Sequence, residues 1–152
     1  MSFHKSFVDA AANDRLQIGL AAGVSGNIQG CGTNYVVKTA SAIYVFYIDG
    51  QSDVAYVKST NDGSIWSAPV IVRTGSGLQL AVWYDGWSGL ATGLIHVAMV
   101  DFGTDDTHYR TVDTASSDAL STATVILLGA TAVVNGHLSI TRTRGGNVLC
   151  KT

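Results

Sequence analysis

The sequence predicts an all-β chain of antiparallel sheets, and three observations predict it. Short runs rich in Val, Ile, Tyr and Thr are separated by breaks that carry Gly, Asp, Asn and Ser. Hydrophobic residues make up 47% of the 152 and charged residues only 13%, and the apolar content comes as alternating, not continuous, runs. The pattern also repeats. Ile43-Tyr44-Val45-Phe46-Tyr47-Ile48-Asp49, a Gly-containing turn, and Val54-Ala55-Tyr56-Val57-Lys58 are followed by Ile95-His96-Val97-Ala98-Met99-Val100-Asp101, a turn at Gly103, and Thr107-His108-Tyr109-Arg110-Thr111. Ile43 pairs with Ile95, Asp49 with Asp101, Tyr56 with Tyr109 and Trp66 with Leu120, an offset of about 52 to 54 residues, which suits stacked sheets of several short strands each.

In chain order, residues 1–15 read as an arm, where Ala10-Ala11-Ala12-Asn13-Asp14 suits a short helix or a contact with a neighbour. Strands are expected over 16–21, 35–38, 42–48, 54–59, 70–72, 78–84, 94–100, 108–112, 124–127 and 138–143. Leu78-Gln79-Leu80-Ala81-Val82 resembles Leu16-Gln17-Ile18-Gly19-Leu20, so each is read as opening a unit. The only proline, Pro69, stands where a strand can begin without its N–H. Residues 16–152 form one domain with repeats near 35–75, 78–128 and 137–152. The third begins at His137-Leu138-Ser139-Ile140-Thr141, turns at Gly145-Gly146 and enters a strand at Asn147-Val148-Leu149-Cys150.

Between the third and fourth strands of the first repeat lies Ser59-Thr60-Asn61-Asp62-Gly63-Ser64-Ile65-Trp66. Its Asn and Asp oxygens suit capping of local N–H groups, Gly63 suits positive φ, and Trp66 suits packing back under the turn. This segment resembles the Asp-box, or BNR repeat, of sialidase-like β-propellers: Ser59, Gly63 and Trp66 match the motif, Asn61 stands where Asp is usual, and Ile65 replaces the Thr. The counterpart Asp113-Thr114-Ala115-Ser116-Ser117-Asp118 lacks the Gly and the Trp. The resemblance implies a partial propeller of two full blades and part of a third, with a structural role for Ser59, Asn61, Asp62, Gly63 and Trp66. A compact β-sandwich is the alternative fold.

The smallest propeller would need roughly 200 residues at this period. A piece of a longer polypeptide, or several copies covering one another's open edges, is therefore expected. A net charge of −2 with scattered basic residues offers no footprint for nucleic acid. No run suits a membrane helix or signal peptide, so the chain reads as soluble. Cys31 and Cys150 match no metal or redox spacing and read as two unrelated thiols, although a bridge would tie the two ends together.

Every acidic residue is Asp. The Tyr–Glu pair, Asp and three Arg that the resemblance would bring from sialidases cannot be assembled without Glu, so no catalytic residue is assigned and no enzyme is expected. Arg110, Arg142 and Arg144 are candidates for anion binding, with Arg142 and Arg144 on one strand face. A solvated face explains them more simply. The turns at 49–53 and 101–106 could gather Ca²⁺ ligands, but turn-forming Asp accounts for them. His96, His108 and His137 lack metal-ligand spacing, and His96 is expected on the face opposite Ile95 and Val97. No cofactor or metal is expected. Trp83, Tyr84 and Trp87 form a candidate stacking platform for a sugar ring, with packing between blades as the competing account. The expected function is a non-enzymatic binding or structural module, glycan recognition being its most concrete form. A structural component of a virion or tail is the runner-up and a sialidase-type hydrolase fragment the third reading.

Overall fold

The computed structural model describes residues 36–84, 86, 93–129, 138–143 and 146–151. The expected arm at 1–15, the strand at 16–21, Cys31, Trp87, His137 and Arg144 lie outside them. The described residues contain strands, turns and bends and no helix. The first sheet runs in the order β1 (Val36–Lys38), β2 (Ile43–Ile48), β3 (Val54–Ser59), β4 (Val70–Arg73). The middle sheet joins β5 (Gly77–Tyr84), β6 (Leu94–Asp101), β7 (Asp106–Asp113) and β8 (Ala119–Leu120), with β9 (Thr124–Leu127) also on β7. The third pairs β10 (Ser139–Arg142) with β11 (Val148–Lys151). All pairings are antiparallel.

The repeat seen in sequence is a repeat of hydrogen bonds. A register shift at Val54/Ala55 between β3 and β4 recurs at Thr107/His108 between β7 and β9. The Asp53 carboxylate accepts from the Gly75 amide, as Asp106 does from Gly129. Asp49 and Asp101 each cap their own turn, on the amides of Gln51 and Asp53 in one case and of Gly103 in the other. Ser67 donates its amide to the Lys58 carbonyl while its hydroxyl accepts the Lys58 amide, and Ser121 treats Thr111 in the same way. In the third sheet the Thr143 amide donates to the Asn147 carbonyl, as Thr39 does to Ala42.

The sheets stack face to face. Val37, Tyr44, Phe46, Val54, Tyr56 and Val72 of the first meet Leu80, Val82, Ile95, Val97, Met99 and Val112 of the middle one in a closed apolar core. The opposite face of the middle sheet, through Ala81, Ala98 and Val100, meets Leu138 and Ile140. β6 is therefore covered on both faces, which is why its apolar run is almost unbroken. Between sheets, β5 lies against β1 and β2, and β10 lies against β5 and β6.

Candidate functional site

At the Ser59–Trp66 turn, the Ser59 hydroxyl accepts the Gly63 amide at 2.8 Å and donates to Asn61 Oδ1 at 2.9 Å. Asn61 Oδ1 also accepts the Ile65 amide at 2.8 Å, so an amide side chain performs the capping that a carboxylate would. Asp62 and Gly63 are both left-handed, with φ of 56° and 87°. A Cβ at Gly63 would lie 3.5 Å from the Trp66 ring, so the constraint there is the backbone conformation and not the space. Trp66 is half-buried, and its Nε1 donates to the Gly63 carbonyl at 3.1 Å. Asp62 points outward to a weak, solvated pairing with Lys38 at 3.4 Å.

The counterpart turn keeps the backbone but not the side chains. Ser117 and Asp118 adopt φ of 55° and 62° where the first copy has Asp62 and Gly63. Asp118 reaches back to the first sheet, accepting from the Tyr44 hydroxyl and from Lys58 Nζ, both at 2.7 Å. Burial and the Asp118 bond together hold the Tyr44 hydroxyl protonated well above the usual phenol range. Burial pushes Tyr56 up to about 12. Lys58 Nζ also lies 5.3 Å from the Tyr44 ring centre, adding a cation–π contact.

The gap between the middle and third sheets holds an aromatic ladder. Trp83 on β5 stands beside His96 on β6 with ring centres 5.4 Å apart, and His96 stacks on Tyr109 of β7 at 5.9 Å. His96 Nδ1 and the Tyr109 hydroxyl are 2.6 Å apart. His96 is buried on the face opposite Ile95 and Val97, as the alternation predicts. Burial raises the Tyr109 pKa while the nearby Arg142 guanidinium pulls against it. Arg142 Nε donates to the Gly146 carbonyl at 3.3 Å.

Among the candidates from sequence, Trp83 and Arg142 therefore share this gap. Arg110 does not: it faces the first sheet, donating from Nε to the Ser121 carbonyl at 2.5 Å and from a terminal nitrogen to the Val72 carbonyl. Tyr84 also leaves the group, packing against the first core while its neighbour Trp83 packs against the second. Sequence reasoning missed His96–Tyr109 as a pair, although strand alternation and the repeat would have set them diagonally across β6 and β7.

A third polar cluster sits at the other end of the first interface. Arg73 Nη2 bonds Asp101 Oδ2 at 2.6 Å. Burial raises the Asp101 pKa, but the Arg73 bond and the Gly103 amide outweigh it and hold the carboxyl below its usual range. His108 is buried near this pair with no hydrogen bond to its Nε2; burial, then the Arg73 charge, lowers its pKa, against the opposing pull of Asp101 and Asp106. Val54, Arg73, Gly75, Gly77, Met99, Val100 and Asp101 line a shallow surface dent at the ion pair, too tight to hold a water molecule. Among the described residues no group of three or more His, Cys or Asp side chains is arranged to hold a metal ion, and no helix is long and apolar enough to cross a membrane. Cys150 is a half-buried free thiol whose pKa burial raises.

A comparison with protein-family models finds no match to this chain, and a comparison with curated proteins finds none either.

Proposed function

We propose that the chain is a run of sialidase-like propeller blades that serves as a structural, non-enzymatic module of a larger assembly, such as a virion or tail component. The observation that carries this reading is the recurrence of one hydrogen-bond frame in successive stacked sheets: the serine clamps at Ser67 and Ser121, the Asp53–Gly75 and Asp106–Gly129 bonds, and the shared register shift. The Ser59–Asn61–Gly63–Trp66 turn supports it with a bonding pattern suited to an Asp-box hairpin. Contacts of β5 with β1 and of β10 with β5, all first strands of their sheets, are those expected of blades that converge on an axis.

A glycan-recognising version would have Trp83, Tyr84 and Trp87 offer one stacking surface. Trp83 and Tyr84 project to opposite faces of β5 and pack into different cores, which favours the structural version. An experimental structure of the purified chain tests the blade reading. Sheets fanned about a common axis near β1, β5 and β10 are expected; sheets stacked in parallel, as in a sandwich, would overturn it. The non-enzymatic part is tested with a fluorogenic sialoside, on which no turnover above buffer is expected.

A further inference from the structure

An indole, an imidazole and a phenol meet on one face of the middle sheet. Trp83 and His96 are register partners on β5 and β6, and Tyr109 stands diagonally across on β7, so the pleat sends all three into the gap under the third sheet. The ring centres lie 5.4 Å apart from Trp83 to His96 and 5.9 Å from His96 to Tyr109, spacings of rings in contact. The second pair is also joined by the 2.6 Å bond between His96 Nδ1 and the phenol oxygen. That hydroxyl shows no other acceptor among the described residues, and burial holds it protonated, so Tyr109 donates and Nδ1 accepts. Exposure is graded along the ladder: Trp83 is half-buried at the margin, whereas His96 is 4% exposed.

We propose that Trp83, His96 and Tyr109 form a relay that carries a one-electron oxidation from the protein surface to Tyr109, with His96 as the base that takes the phenol proton. The oxidant is a small oxidising radical in water, for which the azide radical serves as probe. It takes one electron from Trp83 and becomes the azide anion, while the indole N–H proton passes to water and a neutral indolyl radical remains. Tyr109 then gives one electron to the indolyl, its hydroxyl proton crosses to His96 Nδ1, and the indole nitrogen takes a proton back from water. The products are a Tyr109 phenoxyl radical, a His96 imidazolium and an intact Trp83. The transfer runs in this direction because, in neutral water, a phenol able to shed its proton is easier to oxidise than an indole. A base already bonded to the hydroxyl lets proton and electron leave together. The first gap lacks these parts. Tyr44, Phe46 and Tyr56 stack there at similar spacing, but no indole is in ring contact with them among the described residues, and the Tyr44 hydroxyl bonds a carboxylate that Lys58 already holds. The relay concerns the second gap alone and is the same whether the sheets fan about an axis or stack in parallel.

Pulse radiolysis of the full chain in azide solution, followed by transient absorption, tests this. The indolyl band should decay as the phenoxyl band grows, at a rate independent of protein concentration. Tyr109→Phe keeps the ring and should abolish that growth. His96→Phe keeps a ring between the other two but removes the base, and should slow the growth by about a hundredfold, as loss of a positioned proton acceptor does. Circular dichroism checks the fold of that variant. If it folds poorly, the parent chain in heavy water carries the same test, since a step that moves a proton should slow there. Trp66→Phe, outside the ladder, should leave the growth intact. Growth that persists in Tyr109→Phe or in Trp83→Phe, that scales with protein concentration, or that is as fast in a folded His96→Phe or in heavy water would each overturn the proposal.

Discussion

Between the first and middle sheets Tyr44 packs on Tyr56 with ring centres 5.7 Å apart, and between the middle and third sheets His96 packs on Tyr109 at 5.9 Å. These are equivalent positions in the repeat with different contents. The first gap adds Phe46, 5.3 Å from Tyr56, and is closed by large apolar groups; the second has Ala98 in the place of Phe46 and a half-buried Trp83 at its margin. Tyr44 finds its hydrogen bond outside its own sheet, on Asp118, whereas His96 bonds Tyr109 within its own. The first interface thus combines an apolar core with a bond that ties two sheets together. The second relies on a smaller apolar cluster and a polar pair. The frame repeats because backbone bonds define it, and the filling diverges because several side-chain sets can close one gap.

The largest expected effect tests that difference in packing. Phe46→Ala should destabilise the protein by about 3–5 kcal/mol, as truncation of a fully buried aromatic does. Trp83→Ala should cost less, about 1–3 kcal/mol, since part of that ring is already in water. Urea denaturation with linear extrapolation measures both. Equal losses would mean that the two gaps are closed equally well and would break the comparison.

The two turns sharpen it on a smaller scale. Asp118→Ala removes the acceptor for Tyr44 and the partner of Lys58, at an expected cost of about 1–3 kcal/mol. Asp118→Gly loses the same bonds but relaxes a left-handed residue, so it should be milder by roughly 0.5–1 kcal/mol. Gly63→Ala at φ of 87° should cost about 1 kcal/mol with no bond lost, a pure backbone term. Thermal melts of the three variants suffice. If Asp118→Gly proves as costly as Asp118→Ala, backbone strain at that turn is negligible.

Much of the fold was legible in the sequence, because strand alternation and turn residues are local signals. The strands at 54–59 and 124–127 were expected at the bounds observed, and the other expected strands that fall among the described residues differ by a residue or two at their ends. β8 was missed, since Ala119–Leu120 is held by register with Val112 and Asp113 and not by any propensity of its own. The site was less legible. Grouping Arg110 with Arg142 treated charge as if it marked a common surface, yet the two arginines face opposite gaps, and Arg110 reaches backbone carbonyls of its own and the neighbouring sheet. Sequence adjacency likewise put Trp83 and Tyr84 together, when the pleat sends neighbours to opposite faces. The role of Asp118 could not be read either, because its partners lie in another sheet.

The smallest expected effect separates two buried histidines among the described residues, His96 in the second gap and His108 in the first. His108 has its pKa lowered from an ordinary 6.5, by burial and then by the Arg73 guanidinium of β4, against the opposing pull of Asp101 at the end of β6 and Asp106 on its own strand. The folded state therefore resists a proton that the unfolded chain accepts. Stability from this residue is fully present above pH 6.5 and falls as the pH drops below that value, until the folded His108 itself titrates. Asp101 acts lower, because a carboxyl held below 3.8 by Arg73 loses its contribution only as the pH falls under that value. Denaturation midpoints measured from pH 8 to pH 4.5 should decline on the acid side. His108→Leu should flatten that decline, whereas a slope unchanged by the substitution would assign the acid sensitivity to another group and remove His108 from the account of the first interface.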